Sequence, residues 1–272
     1  MKNTADISGG TGVGGIVGET KGCGIVNSLN EGNISGTSKV GGLGGNVVSE
    51  TQGGIEFVTN KGVITATGDY AGGCFGYGDV KVESALNNGD VTGGGDYVGG
   101  ICGYKRRNMK SSKNTAFIHG KKSTGGIAGY GRDVVIDTMN TGNVLSDTAL
   151  AAGIVASSTT DFALELFCCY SVADVSGPEG KVGAIVGSHD CAVFDCFSTI
   201  DATLNGSPLV PDTAEHIKKQ LVANGPEPET SYIFDENLYD PSARWTNVWD
   251  TNYWTDLQAN KLPKLISVGC DL

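Results

Sequence analysis

Apolar residues along the first two hundred positions fall in short pairs flanked by glycine, without the three-to-four spacing that a helix requires. The pattern is first complete at Val13-Gly14-Gly15-Ile16-Val17-Gly18. It returns as Val40-Gly41-Gly42-Leu43-Gly44-Gly45, Ala71-Gly72-Gly73-Cys74-Phe75-Gly76, Val98-Gly99-Gly100-Ile101-Cys102-Gly103 and Thr124-Gly125-Gly126-Ile127-Ala128-Gly129. Ala151-Ala152-Gly153-Ile154-Val155-Ala156 and Val182-Gly183-Ala184-Ile185-Val186-Gly187 complete the series. Start-to-start steps are 27, 31, 27, 26, 27 and 31 residues. A fixed period in the twenties is the mark of a solenoid, whose single coil cannot bury its own apolar face.

The second half of each unit keeps register with the first. Asn30, Asn60, Asn87, Asn114 and Asn140 share one column, which Ser171 and Ser198 continue. Four residues later stands an apolar column of Ile34, Ile64, Val91, Ile118, Val144, Val175 and Ala202. Five residues before the Asn stands another, of Ile25, Ile55, Val82, Met109, Val135, Leu166 and Val193. Both long units carry their extra residues between the halves, near 46–53 and 157–164. Short β-branched pairs bounded by glycine are strand signals. The pattern therefore predicts an all-β parallel solenoid of about seven coils of 26–31 residues, spanning 1–206. Coils would stack about 4.8 Å apart, with glycines at the corners because positive φ is cheap there. The asparagines would form an internal ladder.

These motifs, in which Gly15-Ile16-Val17-Gly18 or Gly42-Leu43-Gly44-Gly45 leads to Asn-Ser-x-x-x-Gly-x-Val/Ile-x-Gly, resemble the GLUG-motif repeats of bacterial cell-surface proteins. The same repeats occur in IgA-cleaving metallopeptidases, outside the catalytic region. The resemblance covers about residues 6–206 and departs from the motif in the last two units, with Ser for Asn and Ala for Gly. It implies an extracellular, surface-associated protein and carries no catalytic residues to transfer.

Composition narrows this little. Forty-three glycines would suggest disorder or collagen, but the period argues against both. A formal charge of −11 disfavours nucleic acid as a partner. No apolar run is long enough for a membrane helix, and Met1 does not open a signal peptide. Asp6-Ile7-Ser8-Gly9 repeats Asn33-Ile34-Ser35-Gly36, as if the chain began at the end of an earlier coil of a longer exported protein with flanking domains. Among eight cysteines, Cys169 and Cys196 share a column and could be bridged. Cys74 and Cys102 stand where other units place apolar residues, which favours small core thiols instead.

Candidate chemistry concentrates in coils three to five. Tyr77, Tyr104 and Tyr130 each follow the last glycine of the first motif, and Tyr70 and Tyr97 precede it. Eight of nineteen basic residues lie between Lys105 and Arg132. Arg106, Arg107 and Arg132 beside the tyrosines would offer an anionic ligand, such as a sialylated or sulfated glycan, a binding face. The alternative is that the rings only cover the strands and the charges keep an edge soluble. Asp69 and Asp96 share a column and could hold calcium, or Asp96 could pair with Lys122. No other cofactor is implied. The Gly10-Thr11-Gly12-Val13-Gly14-Gly15 match to GxGxxG lacks a βαβ context. Ser188-His189-Asp190-Cys191 places nucleophile-like residues side by side in sequence, which is no catalytic geometry.

After Gly206 the composition shifts. Asp212-Thr213-Ala214-Glu215 reads as an N-cap for a helix over 212–223, and Trp245, Trp249 and Trp254 follow. Residues 207–272 are expected to be a small α+β cap over the last coil. The expected role is a non-catalytic surface module, an adhesin-like stalk or interaction scaffold. Its alternatives are a domain binding host glycans, mucin or surface proteins, and an accessory domain of a larger secreted peptidase.

Overall fold

Each coil has four sides, one short strand to a side except that the first side divides into two strands from Met109 on, and each strand is too small to persist alone. Ile25–Asn30 is followed by Ile34–Gly36, Ser38–Gly41 and Gly44–Val48, before Ile55–Asn60 returns to the first side. We call these sides A, B, C and D. The computed structural model describes residues 1–49, 53–159, 164–188, 191–194, 196–198, 202–209, 254–255 and 264–265. Stacked coils build sheets of twelve strands on side A, nine on B, seven on C and six on D. Pairing between coils is parallel throughout. Ile25, Ile55, Val82, Met109, Val135, Leu166 and Val193 align on side A. Ile7, Ile34, Ile64, Val91, Ile118, Val144 and Val175 align on side B. The chain is thus an all-β parallel solenoid, as its periodicity predicts.

The asparagine column forms the expected ladder. From Asn3, Asn30, Asn60, Asn87 and Asn114, each Nδ2 donates to the Oδ1 of the next at 2.7–2.8 Å. From Asn30 to Asn140 the same nitrogen also donates to the carbonyl two residues on, at 2.7–2.9 Å. Asn30 through Asn140 are fully buried. Their amides reach across the interior to the glycines opposite, and apolar residues cluster on either side. One cluster holds Ile55, Phe75, Ile101 and Met109, and the other holds Ile34, Val40, Ile64 and Val98.

The role expected for glycine holds at only a few positions, Gly12, Gly22, Gly53 and Gly180 among them. Elsewhere in the repeat, left-handed backbone is carried by residues with side chains. Asn27, Phe57, Ser84, Ser111, Asp137 and Cys168 form one such column, at φ 48–56°, and Lys39, Tyr70 and Tyr97 another, at 53–65°. Because neighbouring coils share the kink, coil-to-coil bonds continue through it, as from Ser111 N–H to Ile136 O at 3.1 Å. The paired glycines answer a different demand, for room. A β-carbon at Gly100 would stand 2.0 Å from the Gly126 carbonyl oxygen and 2.5 Å from Asn114 Cγ.

Two features close the described solenoid differently from expectation. Ser198 pairs with Ser171, yet Val175 pairs with Leu204 and not with Ala202, a two-residue offset arising between them. Asn205 and Gly206, at φ 50° and 75°, then reverse the chain so that Ser207–Pro208 runs antiparallel to Thr203–Leu204. Two consecutive left-handed residues in a two-residue loop are the signature of a type I′ hairpin. Cys169 and Cys196 are free thiols, joined by a hydrogen bond from Cys169 N–H to Cys196 Sγ at 3.3 Å. The helix expected over 212–223, Trp245 and Trp249 lie outside the described residues, whereas Trp254–Thr255 pairs antiparallel with Lys264–Leu265. Among the described residues no helix is long and apolar enough to cross a membrane.

Candidate functional site

Side D carries the expected tyrosines on its outer surface. Alternation along each strand turns one column outward, through Glu19, Asn46, Tyr77, Tyr104, Tyr130 and Ser157 in register. Two residues further along, a second column runs through Lys21, Val48 and Asp79. Arg106 and Arg132 continue it, each one residue beyond the aligned trio Gly78, Lys105 and Gly131. Tyr77, Tyr104 and Tyr130 stack at centroid separations of 5.1 and 4.3 Å, with their rings within 7° of parallel. Tyr70 and Tyr97 stack at 5.8 Å, and their rings meet Tyr104 edge-on at 5.7 and 5.6 Å. All five sequence-predicted tyrosines are therefore brought together.

Their arrangement differs from a flat platform. Rings in successive coils turn their faces to one another and their edges to solvent. Tyr130 is only 5% exposed, and its hydroxyl lies 3.0 Å from Thr159 Oγ1. Tyr104 lies in the middle of the stack, and burial pushes its phenol up to about 12. Face-on stacking of a sugar on Tyr104 is blocked from both sides. Only the end rings of the stack have a face that no tyrosine of the column covers.

The arginines are already engaged. Asp79 accepts from Arg106 Nη1 at 3.1 Å and from Arg107 Nε at 2.7 Å, and Arg106 also reaches the Tyr77 hydroxyl at 3.3 Å. One carboxylate thus offsets part of the charge expected to attract an anion. The remaining basic run disperses, because residues 105–132 make one full circuit of the solenoid. Lys110 and Lys113 fall on side A, and Lys122 pairs with Asp96 Oδ1 at 2.7 Å.

Lys105 departs furthest from expectation. It points inward and is 1% exposed. Its register neighbours are Gly78 and Gly131. The Lys105 ammonium donates to the Arg132 carbonyl. Burial pulls its pKa down to about 7, against a smaller upward pull from Asp133. The nearby Cys102 thiol is pushed up to about 12, again mainly by burial.

Asp69 and Asp96 do sit in adjacent coils. Asp69 Oδ1 accepts the Asp96 backbone N–H at 2.7 Å, and Asp96 takes Lys122, the ion-pair alternative anticipated for it. No group of three or more His, Cys, Asp or Glu able to hold a metal ion occurs among the described residues. Sequence reasoning missed a second polar ladder on the surface of side B. There Asp6, Asn33, Asp90, Asn143 and Asp174 each accept a backbone N–H from the next coil at 2.7–3.1 Å. Its signal was present, since each stands three residues after a position in the Asn/Ser column.

The chain matches no protein-family model, no curated protein and no solved structure.

Proposed function

We propose that this chain is a rigid, non-catalytic repeat module of a bacterial cell-surface or secreted protein, acting as a stalk or interaction scaffold. The observation that carries the reading is the unbroken asparagine ladder, which ties every coil from Asn3 to Asn140 to the next inside the core. A stack of coils pitched about 4.8 Å apart resists bending because any bend must open one of four parallel sheets. The resemblance to GLUG-motif repeats supports the extracellular setting. Small-angle scattering tests the mechanical half: the solenoid should scatter as a straight rod of unchanged cross-section across salt and temperature below melting. A flexible ensemble would overturn it.

Side D favours a second reading, recognition of a host glycan, because it gathers five tyrosines, Asp79 and two arginines on one face. A glycan and mucin array tests it. Binding weakened by salt and by Tyr104→Ala or Arg107→Ala supports the tyrosine–arginine band, whereas binding lost with chelator redirects it to Asp69 and Asp96.

A further inference from the structure

The outer column of side D changes size abruptly, and the step leaves a hollow. Between coils two and three, Tyr77 gives way to Asn46 and then Glu19, so the surface drops where the ring stack ends. The result is an open recess of about 390 Å³ lined by Glu19, Thr20, Lys21, Asn46 and Val48. That volume lies within the range of about 300–1,000 Å³ usual for small-ligand sites. Glu19 lies down beside Gly12, where a β-carbon would stand 2.6 Å from Glu19 Cγ. Gly12 is left-handed at φ 71°, a conformation suited to a residue without a side chain.

The lining has a definite chemistry. It combines one carboxylate, one amide, one hydroxyl, one ammonium and a single apolar side chain. Asn46 Oδ1 is buried without a hydrogen-bond partner, although the next residue in its column is a tyrosine. Leaving such an acceptor unpaired costs about 1–3 kcal/mol, which a hydroxyl donor would relieve. Tyr77 is the end ring of its stack on this side, and the Lys39 ammonium stands 5.2 Å from its centroid. A phosphate would meet the Glu19 carboxylate, and a metal ion would find only one carboxylate. A ring bearing several hydroxyls and an apolar C–H face meets none of these objections.

We propose that this recess is a subsite for one pyranose unit of a glycan, with Glu19 and Asn46 binding its hydroxyls and Val48 meeting its C–H side. The inference rests on the glycan-recognition reading of side D but relocates the contact from the tyrosine–arginine band to the end of the stack. It also gives the glycan a direction: further units would run along the solenoid axis, over the edges of Tyr77 and Tyr104.

The test is saturation-transfer NMR on the full chain with four probes: methyl α-mannoside, methyl β-galactoside, N-acetylglucosamine and N-acetylneuraminic acid. Amide shifts are mapped on isotope-labelled protein. At least one probe should receive saturation, with shifts confined to residues 19–21, 46–48 and 77. Asn46→Ala and Glu19→Gln, both on the outer surface, should each weaken binding about tenfold, or roughly 1.4 kcal/mol, without lowering the melting temperature. Shifts mapping to Tyr104, Arg106 and Arg107 would overturn the recess and keep glycan recognition on side D. Silence from all four probes would overturn both, leaving the scaffold reading untouched.

Discussion

Asn87 uses every hydrogen-bonding group of its side chain inside the stack. It donates to Asn114 and to Gly89 O and accepts from Asn60. Replacing it with alanine leaves a donor and an acceptor buried without partners, at about 1–3 kcal/mol for each. Asn87→Ala should therefore lower stability by about 2–4 kcal/mol in chemical denaturation, whereas Asn3→Ala, at the exposed end, should cost less than 1 kcal/mol. Lys105 makes a prediction in pH. Its folded value of about 7 lies below the ordinary lysine value of about 10.4, so the folded state binds fewer protons between them. Its cost is complete below pH 7 and recedes as pH rises toward 10. Lys105→Met should stabilise the fold at pH 6–7 by about 1–3 kcal/mol, with an advantage that shrinks by pH 8.5. Differential melting of the two proteins across that window reads it directly, since thiol and phenol ionisation act on both alike. The two residues also differ in legibility. The asparagines kept one chemical type in one column and could be read as a ladder. Lys105 sat in a basic run that reads as surface, and only its alignment between Gly78 and Gly131 held the contrary signal.

Within one coil, the division of labour between glycine and left-handed residues explains what the sequence hid. A glycine-rich motif invites a conformational explanation, but the relevant constraint is the distance to the next coil, which no single unit displays. Gly100→Ala should be severely destabilising, by more than about 3 kcal/mol, because its β-carbon meets backbone that cannot move. Gly10→Ala meets nothing within 4 Å and should stay within about 0.5 kcal/mol; thermal melts of the pair make the comparison. The kinked columns were invisible because Phe57, Ser84 and Cys168 share no chemistry, only position. The Asn205-Gly206 hairpin was legible in principle, since that dipeptide is a strong turn signal. The counting that placed Ala202 in the apolar column obscured it. The Asp79 pairs with Arg106 and Arg107 belong to this scale too. Asp79→Ala should cost less than about 1 kcal/mol in stability, while releasing both guanidinium groups and raising any salt-sensitive binding of anions on side D.

Across the whole molecule, one coil is one circumference, and that equivalence reorders what the sequence places side by side. A charge run as long as the repeat becomes a ring around the solenoid, whereas residues one period apart become neighbours. The tyrosines were legible as a group because they recur at the period; the basic cluster was not a group because it fills one. Stability should follow the same geometry, as a sum over coils and the interfaces between them. In hydrogen exchange, Asn87→Ala should therefore loosen the coils holding Asn60 and Asn114 and leave Val175 and Val182 protected. Uniform loosening would show that the stack melts as a single unit.

The ladder has one further consequence, for how such a protein can change over evolutionary time. Each rung donates forward and accepts from behind, so every interior rung presents the same two ends and is chemically interchangeable with its neighbours. Excising residues 88–114 by recombination would bring Asn87 against Asn140, with donor meeting acceptor as before. Duplicating the segment would do the same in reverse. The length of the rod is thus a heritable quantity that can be adjusted one coil at a time, without inventing a new kind of rung in its ladder.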